Sequence, residues 1–178
     1  MQENMCYDVV VIGSGPAGEK AAMQASKLKK KVFMIDKQGR LGGASLHTGT
    51  IPSKSLRETV VNLEMLRKRT HGIDISLRDN VSTEELMYRK EVVISEQENT
   101  LRRNLMKNRV VLEKGEARFI TPTKIEINPF ENDRERYVIE TKSTIIATGS
   151  SPRRFDWMEL DNECVFDFEG PNVYSLNF

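Results

Sequence analysis

Cysteine, histidine and net charge are all scarce in this chain of 178 residues, and each shortage closes a class of function. Cys6 and Cys164 are the only cysteines and lie far apart, so no disulfide framework is expected. With His47 and His71 as the only histidines, a Cys/His zinc centre is not expected either, and no metal site is assigned. Lys and Arg number 27 against 26 Asp and Glu, a formal net charge of +1, so nothing overall selects a polyanionic partner. One local basic run, Lys27 with Lys29, Lys30 and Lys31, fits the cationic last turn of a helix better than a nucleic-acid patch. No apolar run approaches the ~20 residues that span a bilayer. Met1 to Asp8 lacks a basic start followed by an apolar stretch, so the chain reads as cytoplasmic, with no membrane partner.

What is present is a core-forming pattern. Tyr7 to Ile12 is a continuous apolar run, as in a parallel strand buried on both faces. From Pro16 to Lys30, Ala17, Ala21, Ala25 and Leu28 keep helical spacing, and Lys31 to Asp36 returns to strand, which predicts a right-handed βαβ unit. After a glycine-containing loop, a helix is predicted from near Ile51, with Leu56, Val60, Leu63 and Leu66 on its apolar face. Thr70 to Val81 reads as a loop. Ser82 and Glu85 have capping-box spacing and open a long helix to about Asn108. Short strands follow at Arg109 to Glu113, Ala117 to Ile120, Lys124 to Ile127 and Arg136 to Glu140, then a buried strand from Ser143 to Thr148. The expected fold is α/β: a doubly wound, Rossmann-like domain over residues 1–150 with a small antiparallel β-meander, then a connector and divergent tail over 151–178.

Gly13-Ser14-Gly15-Pro16-Ala17-Gly18 is G-x-G-x-x-G set between a strand and a helix. The first glycine allows the tight turn, the second lets a pyrophosphate approach the backbone, and the third lets the helix pack on the strand. The first-turn N–H groups, including those of Ala17 and Gly18, would then face the anion. Asp36, ending the second strand, stands where a carboxylate accepts hydrogen bonds from an adenosine ribose. A free 2′-hydroxyl is implied, which suits FAD or NAD and not NADP. A plain glycine turn with a surface Asp is the competing explanation.

The choice between FAD and NAD comes from resemblance. Gly42-Gly43, the loop through Ala44, Ser45 and Gly49, and Ile51-Pro52-Ser53-Lys54 resemble the active-site segment of the pyridine nucleotide-disulfide oxidoreductases. Gly115-Glu116-Ala117-Arg118-Phe119 and Ala147-Thr148-Gly149 extend the likeness over about residues 5 to 155. The resemblance implies that FAD lies along Gly13, Gly15, Pro16 and Gly18, with Asp36 on the ribose. The run from Lys37 through Gly42, Gly43, Ala44 and Ser45 would line the cofactor, as would Gly49, Thr50 and Ser53. Gly115 and Ala117 would meet the adenine end, and Ala147, Thr148, Gly149 and Ser150 would close over the pyrophosphate. Lys54 would stand near flavin N5 as the catalytic cation; the alternative is a solvent-facing lysine in a helix's first turn. His47 reads as a loop residue and His71 as a surface one.

Two departures from the family pattern narrow the expectation. Ser45 and Thr50 stand where its disulfide reductases carry cysteines, and hydroxyls cannot undertake dithiol–disulfide exchange. Gly49 to Arg57 looks most like members that carry a hydride from NADPH to NAD⁺ through bound FAD, so NAD and NADP are the implied substrates. The alternatives are a cysteine-less quinone reductase and a non-catalytic FAD-binding segment. The second departure is length: no nicotinamide-binding fingerprint follows, and Phe168 to Phe178 leaves the pattern. The chain is therefore expected to hold a truncated first part of the FAD domain and to lack turnover alone. Homo-oligomerisation is expected of the longer relative.

Overall fold

The computed structural model describes residues 5–68, 83–130, 134–153, 155 and 157. Its elements in chain order are β1 (Met5–Ile12), α1 (Pro16–Lys27), β2 (Val32–Asp36), α2 (Gly43–His47), α3 (Thr50–Lys68), α4 (Thr83–Lys107), β3 (Val111–Thr121), β4 (Lys124–Pro129) and β5 (Tyr137–Ile146). They fall into two compact units. One comprises the described residues of Met1–Ser45 and Glu98–Ser150, the other those of Leu46–Gln97 and Ser151–Phe178.

In the first unit β1 lies between β2 and β5, parallel to both, with Val10 opposite Phe33 on one side and Thr144 on the other. β2 pairs in parallel with the start of β3, from Phe33 opposite Val111 to Asp36 opposite Lys114. From Gly115 onward β3 pairs instead with antiparallel β4, and β4 pairs with the start of β5, Ile125 opposite Ile139. The five strands close into a ring in the order β1-β2-β3-β4-β5.

Alternation along the strands builds two cores. Val10, Phe33, Ile35, Ile125, Ile127 and Ile139 fill the inside of the ring, with Tyr7 tilted against Phe33. Val11, Val32 and Met34 face outward, where Ala22 of α1 and Leu105 of α4 cover them. Each such aliphatic or aromatic side chain contributes about 1.5–3 kcal/mol by leaving water. Small alanines let α1 lie close to the sheet. The helix ends through a left-handed residue that is not glycine: Lys29 has φ +59°, and Lys30 N–H returns to the Ala25 carbonyl at 3.1 Å. α4 ends in the same way at Arg109, also at φ +59°, and the Ser26 hydroxyl donates to the Asn108 carbonyl between the two helix ends.

Three expectations change. The parallel β2-β1-β5 core and the antiparallel meander are present as expected, but the sheet closes into a ring: among the described residues the inner core is made of strand residues and the meander covers that face. The segments Arg109 to Glu113 and Ala117 to Ile120 are one strand, β3, as Arg136 to Glu140 and Ser143 to Thr148 are largely one strand, β5. In β3 the Lys114-Gly115 step marks where the strand leaves β2 for β4, not where it stops, and in β5 Ile139 and Glu140 pair with β4 and with β1. At Gly115 an added Cβ would lie 2.4 Å from the Asn128 carbonyl oxygen, so the glycine admits β4 there. The loop before α3 also contains the short helix α2.

In the second unit α3 begins at Thr50, and its expected apolar face is only partly covered: Leu56 and Leu63 are half-buried while Val60 is 45% exposed. On the first half of α4, Met87, Lys90 and Ile94 are buried. The Thr70 to Val81 loop, the Ser82 cap, His71, Cys164 and Phe168 to Phe178 lie outside the described residues. Among the described residues no helix is long and apolar enough to cross a membrane, and no cluster of three or more Cys, His, Asp or Glu gathers.

Candidate functional site

The carboxyl ends of β1, β2 and β5 meet around the glycine fingerprint. Gly13 N–H donates to the Ile35 carbonyl at 2.8 Å, and Ala147 N–H to the Ile12 carbonyl at 2.8 Å. Gly13 has φ +103°, and a Cβ on it would lie 2.2 Å from the Ala147 carbonyl oxygen, so only glycine fits. At Gly18 a Cβ would lie 2.0 Å from the Gly13 carbonyl oxygen and 3.3 Å from Cγ1 of Val11, which is the helix-on-strand contact expected of the third glycine.

Gly15 differs from both. Its φ of −63° and ψ of 178° suit any residue, and among the described residues an added Cβ would meet nothing within 4 Å. The described residues give no reason for glycine here, and among them the space beside it is open. Gly15 is also the N-cap of α1, with no side-chain cap on the first turn, and Pro16 and Ala17 are exposed. Open space and uncapped N–H groups together fit an anion drawn close to the backbone.

Asp36 is half-buried beside this turn. Its Oδ2 accepts from Ser14 N–H at 2.9 Å and from the Ser14 hydroxyl at 2.7 Å. Its Oδ1 accepts from Gln38 N–H at 2.9 Å and Gly39 N–H at 3.0 Å. Lys37 is exposed and pairs with Glu116 at 2.8 Å. Gly42 N–H donates to the Ser14 carbonyl at 3.0 Å, which brings the next loop onto the fingerprint, and a Cβ on Gly43 would lie 2.9 Å from Cα of Gly15. Ala44 is exposed, and the half-buried Ser45 donates its hydroxyl to the Gly42 carbonyl at 3.0 Å. Thr148, Gly149 and Ser150 are exposed where β5 has ended. The first unit thus gathers Gly13 to Gly18, Asp36, Gly42 to Ser45 and Ala147 around one place.

Gly115 and Ala117 sit further along β3, opposite Pro129 and Ile127 of β4. Ala117 packs against the inner core. Past Lys114 the edge of β3 that faced β2 pairs with no described strand.

In the second unit Gly49 is buried, and its carbonyl accepts from the Ser53 hydroxyl at 3.3 Å. Thr50, Ser53 and Lys54 are exposed in the first turns of α3. Lys54 lines a groove of about 520 Å³ between α3 and α4, with Ile51, Glu58, Arg89 and Val93. Neither Arg89 nor Glu58 stood out in the sequence, since only the pairing of two helices brings them to one groove. Ser14 was missed for a different reason: the motif leaves its position open to any residue.

The sequence pattern of the pyridine nucleotide-disulphide oxidoreductases matches residues 7–171. The chain belongs to that family. The soluble pyridine nucleotide transhydrogenase of Mycobacterium bovis (strain BCG / Pasteur 1173P2) is 41% identical over 165 residues, which cover 92% of this chain and 35% of the relative. The enzyme of the same name from Hahella chejuensis is 41% identical over 146 residues, 82% of this chain and 31% of the relative. This family member therefore spans about a third of the length of the relatives it matches. Among solved structures, the HOCl-induced flavoprotein disulfide reductase RclA of Escherichia coli superposes with a TM-score of 0.66 at 22% identity, over 84% of this chain and 30% of that one. At that identity the likeness shows the fold: a flavoprotein disulfide reductase-like fold, a mixed sheet with helices.

Proposed function

We propose that this chain is the FAD-holding part of a flavoprotein that moves a hydride from NADPH to NAD⁺ and does not reduce disulfides. The observation that carries the FAD assignment is Gly15, a glycine that neither its dihedrals nor its surroundings require. The pyrophosphate would lie against it, with the first-turn N–H groups of Ala17 and Gly18 as donors and Asp36 taking the ribose. Gly115 and Ala117 would offer the open backbone edge of β3 to the adenine end, and Ala147 to Ser150 would close over the pyrophosphate.

When bound, FAD supplies a two-electron carrier that can take a hydride from one nicotinamide and return it to another. Lys54 is assigned the positive charge that favours the anionic reduced ring. Ser45 and Thr50 hold hydroxyls where thiol chemistry would need sulfur, which leaves a second nicotinamide, a quinone or oxygen as the acceptor. The names carried by the 41%-identical relatives support this reading over a quinone reductase.

The test is an assay of the FAD-loaded protein that carries this chain, with NADPH as donor and a thionicotinamide analogue of NAD⁺ as acceptor. Sustained reduction of the analogue is expected. Preferential transfer to a quinone, or to a disulfide, would replace this reading.

A further inference from the structure

A carboxylate has about four lone-pair sites, and in Asp36 all four are already taken by the chain. Three of the donors are backbone N–H groups, of Ser14, Gln38 and Gly39, fixed by the fold. The fourth is the Ser14 hydroxyl at 2.7 Å, and Ser14 is only 2% exposed. A ribose diol brings two further donors to a carboxylate with no vacant acceptor. Of the four present donors only the Ser14 O–H can leave by rotation of a single bond. It also has a second acceptor in place, the Arg40 carbonyl oxygen at 3.2 Å.

We propose that Ser14 is a placeholder for a ribose hydroxyl. Its O–H satisfies Oδ2 of Asp36 until a nucleotide binds; on binding it turns to the Arg40 carbonyl and yields that lone pair to the ribose. Neither group is then left without a partner in either state, which avoids the cost of an unsatisfied buried hydroxyl. The placeholder also makes ribose recognition weaker than the carboxylate alone would give, because one hydrogen bond is exchanged and not gained. This inference rests on the assignment of Asp36 to the adenosine ribose.

The experiment compares ADP with 2′,3′-dideoxy-ADP by calorimetric titration of the 178-residue chain and of Ser14→Ala, Ser14→Thr and Asp36→Ala, with thermal unfolding as a check that each is folded. Ser14→Ala should bind ADP about three- to ten-fold more tightly than wild type and leave the dideoxy analogue unchanged. Ser14→Thr, which keeps the hydroxyl, should match wild type. If Asp36→Ala weakens ADP while Ser14→Ala leaves it unchanged or weakens it, the placeholder is wrong and the ribose assignment stands. If Asp36→Ala leaves ADP affinity unchanged, or the wild-type chain binds no ADP, the ribose assignment fails and the placeholder with it.

Discussion

The phenol of Tyr137 donates to Oε2 of Glu113 at 3.1 Å, joining the start of β5 to the start of the partner-changing strand β3. Arg134 reaches the same oxygen at 3.1 Å, and the Glu113 side chain is 8% exposed. Burial, then the negative charge of Glu113, then the hydrogen bond push the Tyr137 phenol well above its ordinary range. Burial, with the Glu113 charge second, raises Tyr7 as well. A phenol raised in the folded state contributes stability that is complete below its unfolded value, about 10, and lost as pH rises toward the folded value. Urea midpoints should therefore fall steeply above about pH 10, and Tyr137→Phe should flatten that fall while leaving the neutral-pH slope untouched. An equally steep fall in Tyr137→Phe would refute this.

Lys29 closes α1 in a left-handed conformation that costs an L-residue about 1–2 kcal/mol. Lys29→Gly should raise the unfolding free energy by about 1 kcal/mol in urea titration, since glycine enters that region freely although it enlarges the unfolded ensemble. No gain, or a loss, would mean that the lysine side chain offsets the strain.

Gly18→Ala should act in the opposite direction. Its methyl would meet the Gly13 carbonyl oxygen, so α1 must move off β1, at a cost of about 1–3 kcal/mol. The readout is a lowered urea midpoint. An unchanged midpoint would show that the contact is loose.

The hydroxyls of Ser45 and Thr50 predict a negative result in the FAD-loaded protein. NADH-dependent reduction of lipoamide or glutathione disulfide should stay at the rate seen without enzyme. Reduction well above that rate would place the disulfide chemistry elsewhere in the protein.

The βαβ unit and the fingerprint were legible because their signals are local: the apolar run to Ile12, the three glycines, and Asp36 at the end of β2. Ring closure was not, because it depends on β3 and β5 each serving two neighbours. Lys114-Gly115 and Thr141-Lys142 look like breaks in a one-dimensional reading. At the first, β3 leaves parallel β2 for antiparallel β4; at the second, β5 has run past the end of β4 and continues beside β1, with which it is paired from Ile139 onward. At the site, residue types told which groups could touch a nucleotide. They did not tell that Asp36 already spends its acceptors on Ser14, Gln38 and Gly39, since hydrogen-bond occupancy exists only in the folded chain.

The most direct measurement is FAD titration of the 178-residue chain and its Gly15→Ala variant, followed by flavin fluorescence, with thermal unfolding of both in the absence of flavin. At Gly15 a methyl meets no atom of the described residues within 4 Å and the backbone suits alanine. The unfolding temperature should therefore hold or rise slightly. FAD affinity should fall by about ten-fold or more, because the methyl stands where the pyrophosphate must approach. A variant that is as stable as wild type and binds FAD equally well would contradict the assignment of this fingerprint to the cofactor.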